Sequence, residues 1–133
     1  MSLDAAIDGL RTAVTGLTGM KRAYADPPES ISEFPSAIVY VTGGQLSASA
    51  AGGVSLHTLA VEIYHARQVL PQAVDAAKVW PDLMFAALKA DMTLGGAVSH
   101  INWPVTYKAL PLRYGDQIYY GMRFEVTVKI NES

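Results

Sequence analysis

The apolar residues Leu3, Ile7, Leu10, Val14 and Leu17 recur at steps of three and four, drawing one stripe along a helix over residues 3 to 18. Ser2 or Asp4 stands where a cap belongs. Asp4 and Asp8 read as charges near a helix N-terminus and on its solvated face rather than as a catalytic pair, because the first turn favours anions. Gly16 and Gly19 end the helix. A second helical region covers residues 71 to 90, with Val74, Ala77, Met84 and Leu88 in phase. Pro81 inside it predicts either a kink or a restart with Pro81 in the first turn.

Between these regions the pattern changes period. The segment ADPPESISEFPSA reads as a loop, and Pro35 discourages helix at Phe34. Ile38 to Thr42 is a β-branched strand. The following GGQLSASAAGG, residues 43 to 53, is too poor in large side chains to hold a core position, and we expect a flexible Gly/Ala-rich hairpin tip or arm. Val54 to His65 alternates, with His57, Leu59, Val61, Ile63 and His65 on one face and Thr58, Ala60, Glu62 and Tyr64 on the other. DMTLGG, residues 91 to 96, is a turn, and Ala97 to Val105 is a strand followed by a proline-containing connection.

The clearest signal closes the chain. Met122, Phe124, Val126, Val128 and Ile130 alternate with Gly121, Arg123, Glu125, Thr127 and Lys129, giving a strand with one buried face. The expected order is α-β-β-α-β-β. This predicts one α+β domain over residues 1–133, a mainly antiparallel four-stranded sheet with both helices on the Leu59 and Phe124 face. Tyr64, Glu62, Tyr119, Arg123 and Glu125 then point away from the helices, with no remaining element to cover them. Tyrosine and arginine are enriched at protein interfaces, so this face is a candidate interface, together with Gln45 and Leu46 of the arm. An antiparallel sheet can also simply face water on one side.

Composition narrows the chemistry. The 133 residues suit one domain, and 50% hydrophobic against 17% charged leaves few charges to solvate the surface, part of which a partner would then cover. There is no cysteine, which excludes disulfides, thiolate metal sites and cysteine nucleophiles together. Asp4 and Asp8 stand where a signal peptide would carry Lys or Arg, and no apolar stretch approaches the roughly 20 residues of a membrane span. We therefore expect synthesis in the cytoplasm and no membrane partner. Net charge is −2, and the only adjacent basic pair is Lys21–Arg22, so direct nucleic-acid recognition is not expected.

No catalytic pattern emerges. Ser99 and His100 are adjacent in a strand and so point to opposite faces, where they cannot act as nucleophile and base. His57 and His65 share a face but lie about 26 Å apart along a strand, and with His100 they make no metal-binding spacing. Strand ends or the surface suit all three. The pairs Gly43–Gly44, Gly52–Gly53 and Gly95–Gly96 lack the lysine and spacing of a phosphate loop and read as turns. Asp26, Glu29 and Glu33 lie in the proline-rich loop as solvated charges. Neither a cofactor nor a metal is expected.

FPSAIVYV at 34 to 41, DMTLGG at 91 to 96 and YGDQIYYGMRFEVTVKI at 114 to 130 together resemble the tail-terminator and tail-completion (minor tail) proteins of long-tailed bacteriophages, over most of the chain. The resemblance implies a non-catalytic virion assembly protein that forms a homo-oligomeric, six-fold ring. Such a ring caps the tail-tube protein and meets the head-tail connector. It further implies residence in the virion tail after synthesis in the host cytoplasm. It gives structural roles to Leu94, Gly95 and Gly96 at the turn and to Tyr120, Gly121, Phe124 and Val126 in the strand, and no catalytic residue. The 43–53 arm matches nothing in the family. Two other readings stay open: a different head-tail joining or tube component, and a small ligand-binding domain or enzyme with its site near the 22–36 loop.

Overall fold

A computed structural model describes residues 1–66 and 70–132. The chain runs α1 (Leu3–Thr15), β1 (Arg22–Ala25), β2 (Ser36–Ser49), β3 (Gly52–Tyr64), α2 (Leu70–Ala77), α3 (Trp80–Ala90), β4 (His100–Tyr114) and β5 (Gln117–Glu132). The strands form one sheet in the order β1-β2-β3-β5-β4. The pairs β2–β3, β3–β5 and β5–β4 are antiparallel, whereas β1 runs parallel to β2. No helix among the described residues is long and apolar enough to cross a membrane.

The expected four-stranded, mainly antiparallel sheet in the order α-β-β-α-β-β is therefore corrected to a five-stranded mixed sheet. The added strand, β1, has four residues of which only Ala23 is buried, so it carries no alternation to read. Its place is set by backbone bonds. Lys21 N–H donates to the Pro35 carbonyl at 2.9 Å and Asp26 N–H to the Val39 carbonyl at 2.8 Å, bracketing the parallel register from Arg22↔Ser36 to Ala25↔Val39. The second helical region is two helices, with Pro81 in the first turn of α3, where its missing N–H costs no hydrogen bond. β4 extends past the expected strand and runs through Pro104 and Pro111. As the outer strand it lacks a ladder on one side, and it absorbs Pro104 in a bulge between Asn102 and Thr106.

The predicted stripes do form the main core. Ile7, Leu10 and Val14 of α1, Ala77 of α2 and Trp80, Met84 and Leu88 of α3 pack with Leu59, Val61, Ile63, Phe124, Val126 and Val128 on one face of the sheet. Each large aliphatic or aromatic side chain buried there contributes about 1.5–3 kcal/mol of transfer free energy. Ser2 caps α1 by accepting the Ala5 N–H at 3.1 Å. The 91–96 turn places Leu94, Gly95 and Gly96 at positive φ (51°, 69° and 89°) and buries the Leu94 side chain. Its loop is tied by Gly95 N–H to Asp91 Oδ1 at 3.0 Å. Gly9 of α1 leaves room for this turn, since a Cβ there would stand 3.0 Å from the Leu94 carbonyl.

Candidate functional site

The sheet face opposite the helices is divided between a small second core and an exposed extension. Ile38, Tyr64 and Leu112 are buried there, with Tyr24, Ile31, Phe34, Tyr40 and Tyr119 packed around them. Ile31 and Phe34 come from the proline-rich loop, which thus covers part of the face that the alternation alone leaves open. Tyr64 is only 2% exposed, and its ring meets Tyr114 and Tyr119 edge-on at 5.8 and 5.9 Å. Phe34 tilts against Tyr119 at 5.2 Å. As an open interaction residue Tyr64 is therefore corrected to a core residue, and Tyr119 is half-buried beside it.

Polar groups follow the aromatic cluster along the same face. The Tyr64 hydroxyl donates to Glu62 Oε1 at 2.9 Å. Arg123 pairs across the ladder with Glu62, Nη1 to Oε2 at 3.7 Å, and reaches Glu125 Oε1 with Nε at 3.9 Å. Those distances make ion pairs and not hydrogen bonds; the pair to the exposed Glu125 contributes about 0.2–1 kcal/mol, whereas the Glu62 carboxylate is largely buried. Burial, with the Glu62 carboxylate second, pushes the Tyr40 and Tyr64 hydroxyls above their ordinary range. Both tyrosines stay protonated donors near neutral pH, so the group orients a carboxylate and offers no phenolate base. Five predicted residues, Tyr64, Glu62, Tyr119, Arg123 and Glu125, are thus gathered on one face, with Glu125 its exposed member.

Gln45 and Leu46 lie elsewhere, on the far part of β2. The 43–53 segment is the end of a paired hairpin, laddered through Ser49↔Gly52 and backed by β5 as far as Gly53↔Glu132. Gly44 is required by this pairing, because a Cβ there would run into the Leu56 carbonyl. β1 covers β2 only from Ser36 to Val39, and among the described residues no other strand pairs with the outer edge of β2 beyond that point. Every residue from Val41 to Ala51 is exposed, and none is charged or a proline. Leu46 is 82% exposed.

A third surface escaped the sequence pattern. On the opposite side of the sheet, α3 and β4 enclose an apolar groove of about 130 Å³ lined by Pro81, Phe85, Leu88, Trp103 and Tyr107, with Phe124 at its base. Phe85 is 55% and Tyr107 54% exposed. Phe85 meets Trp103 edge-on at 5.8 Å. The available signal was Phe85, which stands off the buried Met84–Leu88 stripe of its helix.

A shallow cavity of about 340 Å³ also adjoins the proline-rich loop, lined by Thr18, Phe34, Pro35, His65, Val79 and Trp80. His65 sits at the end of β3 as expected, yet it is buried, and its Nε2 accepts the Trp80 indole N–H at 2.8 Å. Burial lowers its pKa below the ordinary histidine value. Asp26, Glu29 and Glu33 are all exposed. Among the described residues no group of three or more His, Asp or Glu side chains is arranged to hold a metal ion. No family model matches this chain, and no similar protein emerges from comparison with curated sequences.

Proposed function

We propose that the chain is a structural, non-catalytic tail assembly protein of a phage or prophage, forming a homo-oligomeric ring that caps the tail tube and meets the head-tail connector. The observation that carries this reading is the β2 edge. Past a bulge at Val41–Gly43, the backbone from Gly43 to Ser49 is held in register by β3, yet this run is exposed and carries neither charge nor proline. Soluble proteins ordinarily guard a free strand edge with charges, prolines or bulges, as β4 does here with Lys108, Pro104, Pro111 and its bulge. Beyond its bulge the β2 edge has neither charge nor proline, and such an edge is suited to being covered in an assembly. The ring, the tube, the connector, the six-fold symmetry and the place in the virion tail come from the sequence resemblance alone.

Electron microscopy of the purified chain mixed with tail tubes of the phage that encodes it tests the reading. Density added at one tube end is the expected result, and bare tube ends at saturating protein would sink it. Density along the tube or on the connector alone would instead favour the other head-tail joining or tube component.

The cavity beside His65 and Trp80 favours a second reading, a small ligand-binding domain with its site near the 22–36 loop. Its lining is mainly apolar, with His65 as the one ionisable group. A screen for small aromatic or aliphatic compounds that raise the melting temperature of the isolated chain, and lose that effect in His65→Ala, would support it.

A further inference from the structure

The uncharged β2 edge and the α3–β4 groove lie at opposite sides of one sheet, in the order β1-β2-β3-β5-β4. One copy cannot bring them together. We propose that they meet between copies: Leu46 on β2 of one copy seats in the Phe85, Trp103 and Tyr107 groove of the next. This rests on the ring reading above and names the surfaces that build the ring. A contact between two different patches is heterologous, and repeated with a fixed rotation it closes into a ring or runs on as a filament.

Size and exposure point to a second copy as the occupant. The groove volume of about 130 Å³ equals roughly four water volumes at about 30 Å³ each, room for the four carbons of one leucine side chain. Leu46 is the most exposed large hydrophobic residue of the described chain. The segment that presents it has no charge that would have to be desolvated on docking.

Area sets the strength of the contact. Aromatic side chains bury about 150–250 Å² each, so hiding the exposed portions of Phe85, Tyr107 and Trp103 together with Leu46 removes roughly 400 Å². A specific protein pair needs about 1,200 Å² or more. A single contact is then weak, and a closed ring, in which every copy holds two, is the stable species.

The absence of native cysteine makes the contact directly testable. In Leu46→Cys/Tyr107→Cys, mild oxidation should give a reducible ladder of covalent multimers on non-reducing gels, while each single variant and the control Leu46→Cys/Thr15→Cys should stay monomeric. Dimers from Leu46→Cys alone would overturn the proposal, since like edges would then be meeting. Leu46→Asp should keep the melting temperature, because the side chain is exposed, and raise the concentration for half-assembly at least tenfold. The two levels fail differently. If the unmodified chain never assembles, the ring reading falls and this inference with it; if it forms rings without a ladder and Leu46→Asp still assembles, only the Leu46 seat is wrong.

Discussion

Replacing Trp80 by phenylalanine removes one hydrogen-bond donor from the edge of the main core. Trp80 is 2% exposed, and its indole N–H is the partner of His65 Nε2 at 2.8 Å. Leaving that buried acceptor unpaired costs about 1–3 kcal/mol. The smaller ring leaves a void on the order of 40 Å³, adding about 1 kcal/mol at about 24 cal/mol per Å³. The sum, about 2–4 kcal/mol, lowers the melting temperature of a domain this size by about 8–16 °C. The pH dependence makes the argument specific. His65 is held neutral, with its pKa lowered from 6.5 by burial, so the unfolded chain binds the proton more readily than the folded one. Its contribution to stability is therefore full above pH 6.5 and declines as the pH falls toward the lowered folded value. In Trp80→Phe the ring nitrogen is free to take a proton and this acid-side loss shrinks. The stability difference between wild type and variant, from urea unfolding at pH 8 and pH 5, should be smaller at pH 5. A difference that is equal at both pH values, or below about 1 kcal/mol at pH 8, would refute the reasoning.

Other substitutions probe the sheet and the first helix. Gly121→Ala places a Cβ against the Ile63 carbonyl and the Leu112 side chain, so it should destabilise by about 1–3 kcal/mol in urea unfolding, although alanine is ordinarily the better residue in a strand. Tyr64→Phe removes the donor to the largely buried Glu62 carboxylate and should cost about 1.5–3 kcal/mol. In a double-mutant cycle with Glu62→Leu, which removes the acceptor, the coupling should exceed about 0.5 kcal/mol, and a coupling near zero would mean that the hydroxyl bond is energetically idle. Ser2→Ala deletes the α1 cap and should cost about 1 kcal/mol in thermal unfolding.

What could be read from the sequence follows from where a single burial period holds. Ile7, Leu10 and Val14 show the helical period, and Phe124, Val126 and Val128 the alternating one, because each set faces one continuous core. Pro81 marked the helix restart for a local reason, the missing N–H. β1 could not be read, since four residues with one buried side chain have no period, and a parallel pairing is closed by distant backbone groups. The extent of β4 was hidden by Pro104 and Pro111, which argue against a strand unless it is known to be an edge.

The candidate surfaces divide in the same way. Glu62, Tyr64, Tyr119, Arg123 and Glu125 share a face because strand phase is local, but the covering of Tyr64 by Ile31 and Phe34 depends on how a loop returns over the sheet. Those two apolar residues inside a polar loop were the signal. The groove under Phe85 and Tyr107 joins a helix to a strand far along the chain, and no spacing rule links them.

Assembly of the isolated chain is the most direct test of the central claim. Native mass spectrometry across a dilution series should show a closed ring in equilibrium with monomer, with intermediate species scarce because each open arrangement lacks one contact. A chain that stays monomeric at the highest concentrations would contradict the account.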